Sequence, residues 1–542
     1  MIGKIFIGTI LLFSLSTFAQ EKQNKQNQNQ QSQQSNSGVE LPDFVITGKD
    51  VVSLRHAQKI PPDFVPAISK EFLNPVFPTE NLKMKEVTTP IKGTMTLLDT
   101  LNYQTGNLEF GLGSYYLPSA RLNFASPFSN GLFEMHGDAE NQRAYVPNSG
   151  RYSLKGGASL SLYVQDDAAI FPGSQYKFSG DYNIQAYKLY GSKDPTYKRN
   201  LNAGNATFEI NNLMSKYFLF SAKVSDNLRS LKGEHFSENM VDVGGYTQFG
   251  LYSLNLGADV SFKKQTISNN LNSNTMFGFI AVRPTINLNI SDKVKVNAGF
   301  NFAHELSNNF FSPYGAIGVD LGNGLSLYGD FSPQAEFYGG GHFLDINPYF
   351  MPQKFTNLFL KKNFALSASI KYEFFTYVEI DGGFKYFSAD NLPFFLDTAS
   401  AGMFDLATTS AKSFSLFANF LFHPGPNGVF YATGELYDTR DSANNFIPYY
   451  PRAKVTLNYG YNFKNGFSAG ANLYMLAGMY SNIQNSNSIN PVINLGLSFS
   501  YMIKQDFYLT LKVSNLLNQN NYMWKGYEEL PLDITAGLKY NW

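Results

Sequence analysis

Gly466-Phe467-Ser468-Ala469-Gly470 carries the G-x-S-x-G spacing of a nucleophile elbow, in which a strained strand-to-helix turn presents a serine to an acyl group. Here Lys464-Asn465-Gly466 reads as a tight turn and the residues after Ser468 alternate as a strand. The turn that would activate the serine is therefore not encoded. Gly48-Lys49-Asp50 lacks the upstream glycine and the Ser/Thr of a phosphate-cradling loop. Gly339-Gly340-Gly341-His342 reads as a flexible stretch in a long connection. None of the six histidines (His56, His136, His235, His304, His342, His423) stands four residues from another, the spacing that lets one helix face hold a metal. The chain has 0 Cys, which removes disulfides, thiolate ligands, a cysteine nucleophile and a lipidated N-terminal cysteine. The expectation is a protein with no catalytic residue, no metal and no cofactor.

The rest of the chain is built for a different purpose. Of 542 residues 43% are hydrophobic, 16% aromatic and only 15% charged, an unusual balance for a soluble domain. Lys+Arg and Asp+Glu both number 42, so no net charge draws the chain to nucleic acid, and no nucleic-acid partner is expected.

Residues 1–19 read as a signal peptide: Lys4 is the positive head, Ile5 to Ser14 the apolar core, and Thr17-Phe18-Ala19 the cleavage pattern. That apolar run is shorter than the ~20 residues a spanning helix needs. Residues 20–38 are nearly all Gln, Asn, Ser and Lys, too polar to offset the entropy of ordering, and predict a disordered periplasmic tether. Within 39–48, Phe44-Val45-Ile46-Thr47 is β-prone, opened by Pro42 and closed by Gly48. Such a segment can add itself as a strand to a partner's sheet edge. Residues 51–90 are Pro-rich without a period and predict extended coil.

From about residue 101 to the end the pattern has period two. Ile534, Ala536, Leu538, Tyr540 and Trp542 make one face of the last segment, while Asp533, Thr535, Gly537, Lys539 and Asn541 make the other. Residues 294–302, 364–374, 453–463 and 507–514 alternate likewise. Apolar-out, polar-in runs of ~10 residues are what a membrane barrel requires. Roughly 22 such runs follow residue 106, joined alternately by short turns (Gly322-Asn323-Gly324 or Lys504-Gln505) and long connections: 191–200, 229–238, 334–362, 387–412, 439–450, 479–490 and 518–529. The stretch 165–174 is long where a short turn is due. The fold class predicted is all-β, a transmembrane antiparallel barrel of about 22 strands with a disordered N-terminal periplasmic extension, embedded in outer-membrane lipid.

Leu41-Pro42-Asp43-Phe44-Val45-Ile46-Thr47-Gly48 resembles the stretch containing the TonB box of TonB-dependent outer-membrane receptors. Asn347-Pro348-Tyr349-Phe350-Met351-Pro352-Gln353 resembles that family's motif before a mid-barrel strand, with Gln353 for the usual Glu. Val513-Ser514-Asn515-Leu516-Leu517-Asn518 followed by Tyr522 resembles its ending, with Leu517 for Phe. Leu538, Tyr540 and Trp542 resemble the C-terminal signal read by the barrel-assembly machinery. The resemblance implies a receptor or transporter coupled to TonB or another periplasmic protein, with aromatic outer loops meeting the solute. The family's plug domain has no room between residues 51 and 90, and a wide barrel without one must be filled. The candidates are its own loops 334–362 and 387–412, the 51–90 segment, or a separate protein. The alternative is a structural barrel subunit of a secretion or surface-attachment complex, partnered by a surface lipoprotein.

Overall fold

The computed structural model describes residues 105–542, apart from 166–167, 169–170, 213–217, 252–253, 307, 375–376, 399–400, 424–427 and 464. The signal-peptide, tether, Leu41–Gly48 and Pro-rich assignments lie outside the described residues.

Along the chain the first strands are β1 (Gly106–Gly113), β2 (Tyr116–Phe128), β3 (Gly131–Gln142), β4 (Arg151–Tyr163), β5 (Gln175–Lys188), β6 (Lys198–Asn212), β7 (Phe218–Lys232) and β8 (Phe236–Leu251). Next come β9 (Leu254–Asn269), β10 (Thr275–Ser291), β11 (Val294–Glu305), β12 (Asn308–Gly322), β13 (Leu325–Phe331) and β14 (Gln334–Gly339). A helix, α1 (Gly340–Ile346), leads to β15 (Asn357–Phe374), β16 (Val378–Asp397), β17 (Phe404–Phe422), β18 (Gly428–Asp441), β19 (Ala453–Asn462), β20 (Phe467–Ala477), β21 (Val492–Lys504) and β22 (Phe507–Ser514). A small hairpin, β23 (Tyr522–Trp524) and β24 (Tyr527–Glu528), precedes the last strand, β25 (Asp533–Asn541).

The large sheet has 23 strands, but β13 and β14 occupy successive stretches of the same edge of β15 and count as one position in the wall. β1 pairs with β2 on one side and β25 on the other, all antiparallel. The result is a closed barrel of 22 wall positions, as the alternation requires.

Its surface is inside out relative to a soluble protein. Leu538 is 56% exposed while its neighbour Lys539 is 7% exposed. Leu108, Phe110, Phe178, Val260, Phe300, Ile370, Leu416 and Leu509 also face outward. Inward-facing charges pair: Arg121 with Asp138 at 2.7 Å, Arg283 with Asp259 at 3.2 Å, Lys512 with Glu109 at 2.6 Å. Such a belt of exposed aliphatic and aromatic side chains is stable only against hydrocarbon. Ile370→Arg, outward on β15, is expected to cost about 2–4 kcal/mol, and inward Ser369→Arg much less. Urea unfolding in lipid vesicles measures both.

Two predicted loops are strands. Residues 387–412 are mostly β16 and β17, which end at Asp397 and begin at Phe404, and 229–238 are mostly β7 and β8. The register of β16 against β17 shifts between Ala389 and Leu392, and Asn391 takes a positive φ of 62°. This bulge breaks the period of two and hides the strand. Between Tyr163 and Gln175 no further strand occurs among the described residues. Some connections at the end away from the termini are also tight, such as 114–115 between β1 and β2.

Candidate functional site

The end of the barrel away from the termini, called the loop end here, is filled by its own connections. The buried apolar cluster draws on the loop-end halves of the wall strands (Leu201, Leu231, Phe236, Ile267, Leu358, Leu392, Leu476, Val492) and on the connections (Phe343, Leu344, Ile346, Tyr349, Phe350, Ile447, Met479, Trp524, Tyr527). Fully burying one large apolar side chain contributes about 1.5–3 kcal/mol, so this cap is a folded core. Of the fillers expected, 334–362 and the top of the β16–β17 hairpin both contribute.

The glycine run at 339–341 begins the cap, and its role differs from the flexibility expected of it. The backbone N–H groups of Gly340 and Gly341 donate to the buried Glu238 carboxylate at 2.7 and 3.1 Å. A Cβ on Gly339 would sit 2.5 Å from Glu238 Oε1, and one on Gly341 2.6 Å from Arg229 Cγ. Glycine is required here for close approach. Glu238 thereby satisfies the open end of α1, and Arg229 holds the far end through Asp345 at 2.8 Å.

Asn347, Pro348, Tyr349, Pro352 and Gln353 lie between α1 and β15, with all but the half-buried Pro348 buried. Asn347 Oδ1 accepts from Tyr349 N at 2.9 Å, an Asx turn. Pro348 O accepts from Tyr187 Oη at 2.7 Å and Arg199 Nη1 at 2.6 Å, and Phe350 O accepts from the same Nη1 at 2.9 Å. Arg199 in turn donates to Glu234 at 2.8 and 3.1 Å, with the Arg199 side chain fully buried and that of Glu234 nearly so. The Gln353 side-chain amide donates to Glu234 as well. A carboxylate at 353 would set two buried acids together, which accounts for the Gln. The candidate outer-loop motif is thus turned inward and held.

Aromatic contacts seal the centre. Tyr349 stacks on Tyr527 with centroids 3.4 Å apart, and Trp524 packs edge-on against Phe395 at 5.1 Å and Phe404 at 5.4 Å. Three connections meet backbone to backbone: a Cβ on Gly191 would lie 2.4 Å from Gly526 O, and one on Gly402 2.1 Å from Gly191 O. Tyr527 Oη donates to Gly402 O at 2.6 Å. Sequence reading missed Arg199, Glu234, Glu238 and these glycines. Their partners are 100 or more residues away across the lumen in most cases, so spacing carries no trace of them.

The hairpin of the cap carries a carboxyl shifted toward neutrality. Tyr145 Oη and Tyr190 Oη donate to Glu528 O at 3.0 and 3.2 Å, while burial without compensating charge raises the Glu528 carboxyl from 4.5 to about 7. Because the docked state favours the protonated form, its contribution is complete below about 4.5 and lost as pH rises through about 7. Glu528→Gln is expected to leave the protease resistance of the β23–β24 hairpin unchanged at pH 4 and to increase it at pH 8.

Ser468 lies within β20, paired to Asn462 of β19 and Ser500 of β21. It has no helix after it and no elbow geometry. Leu538 and Tyr540 face outward on β25, and Trp542 O accepts from Thr105 N at 2.5 Å and Gly106 N at 3.0 Å where the barrel closes. The site residues Leu41 to Gly48 lie outside the described residues.

No protein-family profile matches the chain, and no curated protein matches it by sequence. Solved structures do match. The siderophore receptor PiuA from Acinetobacter baumannii aligns at TM-score 0.59 and 12% identity over 81% of this chain and 82% of that one. The FrpB iron transporter from Neisseria meningitidis (F3-3 variant) aligns at TM-score 0.60 and 10% identity over 82% of each, and the copper transporter OprC at 0.57 and 10% over 81% and 80%. At such identities the chain shares with these receptors and transporters the fold of the barrel.

Proposed function

We propose that this chain is a bacterial outer-membrane receptor or transport barrel, closed by its own cap, that binds or passes a solute under energy coupling from a periplasmic protein. The loop end faces outward and the termini face the periplasm. Leu41, Pro42, Asp43, Phe44, Val45, Ile46, Thr47 and Gly48 form the strand offered to the partner, TonB or a protein with the same edge-pairing chemistry. Leu538, Tyr540 and Trp542 serve recognition by the assembly machinery. The observation that carries this reading is the cap: a wall of 22 positions with a paired, polar lumen is a conduit, and the segment 334–362 folded into it is a stopper. The fold shared with siderophore, iron and copper receptors and transporters supports the same reading.

A second reading is a static scaffold that holds a surface lipoprotein. The dry, aromatic core of the cap favours it, since such packing suits a permanent structure. A thiol-free chain separates the two. With Ala389→Cys, buried under the cap, labelling by a membrane-impermeant maleimide should rise in energised cells and fall to the uncoupled level when residues 41–48 are deleted. Equal, low labelling in all three conditions would overturn the transport reading in favour of the scaffold.

A further inference from the structure

The wall is not zipped along its whole height. β12 pairs with β11 from Val294↔Val319 to Glu305↔Asn308, which takes in its whole loop-end half. On its other side it pairs with β13 only from Gly322 up to Gly315↔Phe331. Above that point β14 pairs with β15 alone. Among the described residues, the loop-end part of β12, Asn308 to Pro313, therefore has no strand paired to its second edge. It borders a lipid-exposed face on which Phe311 is 68% exposed.

β14 has swung inward, behind that edge. Phe337 of β14 is 1% exposed and stacks on Phe279 of β10 at 5.7 Å, within a cluster that includes Ala303, Phe310 and Phe359. Lys263 Nζ donates to Phe337 O at 3.3 Å, and Asn301 donates to Pro333 O. The bend is built into both strands of the ribbon at one level. Pro333 interrupts β13–β14, and the ladder of β15 on β16 shifts between Lys362 and Phe364, with Gln334 facing Lys362.

The sequence of the displaced strand is nonetheless that of a wall strand. Leu325, Leu327, Gly329 and Phe331 face lipid and Ser326, Tyr328 and Asp330 face the lumen. The same phase continues through Ala335 and Phe337 on one side and Gln334, Glu336 and Tyr338 on the other. Carried on in the same register, Pro313 meets Pro333, Ser312 meets Gln334, Phe311 meets Ala335 and Asn309 meets Phe337. The facing prolines have no N–H to give the ladder. The zip is weakest where it stops, and beyond that point edge and strand match in length and in polarity.

We propose that the free edge of β12 is the docking surface for β14. In a second state β14 zips onto Asn308 to Pro313, Phe337 moves to the lipid face, and α1 with Asn347 to Gln353 is drawn off the lumen axis, opening the conduit. This rests on the capped-conduit reading above. Unpaired backbone at lipid depth is unfavourable, which favours zipping. The buried aromatic cluster around Phe337 opposes it, so the two states are held in balance.

Cysteine pairs test this directly, because the chain has none of its own. Asn309→Cys with Phe337→Cys, and independently Phe311→Cys with Ala335→Cys, should form disulfides in proteoliposomes under mild oxidant. The wall pair Val319→Cys with Leu327→Cys, already in register, is the positive control. The linked β12–β14 protein should pass a persistent current that vanishes on reduction. If the control links and neither switch pair does, the proposal is overturned. It is also overturned if a pair links and the barrel stays silent; a conducting cap-deleted barrel would then leave the capped-conduit reading standing.

Discussion

Excision of residues 339–355, with Tyr338 joined to Thr356 through a short Gly-Ser linker, is expected to raise the conductance of the barrel in planar bilayers by at least about tenfold. The segment removed contains α1 and the Asn347–Gln353 turn. Phe343, Leu344, Ile346, Tyr349 and Phe350 reach from the β7–β8 wall to the β23–β24 hairpin. A barrel of this strand number is wide enough to hold water unless something fills it. What remains after excision is a wall lined by Lys223, Asp242, Lys295, Asp320, Lys371 and Glu379, which favours an aqueous path. The outward belt is untouched, so the variant should still assemble.

Arg199→Ala carries the second large effect. Arg199 and Glu234 form an ion pair at 2.8 Å with side-chain exposures of 0% and 5%, and Arg199 also donates to the carbonyls of Pro348 and Phe350. Removing the guanidinium leaves Glu234 buried with only the neutral Gln353 amide and Tyr197 hydroxyl, and takes one donor from the Pro348 carbonyl and the donor of the Phe350 carbonyl. Breaking a buried pair by deleting one partner costs about 3–5 kcal/mol, and here that cost falls on docking of the cap. Limited proteolysis from the loop end should cut within 347–356 in Arg199→Ala and spare the wild type. Arg199→Ala with Glu234→Leu should recover much of the protection, because the stranded charge is then gone.

The wall was legible because lipid on one side and water on the other impose a period of two at every residue. The last strand, from Asp533 to Trp542, could be assigned face by face. The cap was not legible in the same way. Its residues answer to one another across the lumen, as Glu238 does to Gly340 and Tyr349 to Tyr527, and no local period records a contact between such distant positions. Composition held one usable signal: connections rich in Phe, Leu, Tyr and Trp cannot remain in water, so an aromatic loop on a wide barrel is a filler before it is a binding surface. The glycine run 339–341 misled for a related reason, since close approach to Glu238 and flexibility call for the same residue. β14 was folded into a long connection at 334–362, although its alternation continues that of β13.

Closure of the conduit depends on the loop-end connections that fill the barrel. The most direct test is the single-channel current of a chain lacking residues 20–100 but with every connection intact, so that only the cap can close the conduit. A quiet baseline with no persistent current is expected. A steady, large conductance from that barrel would contradict it.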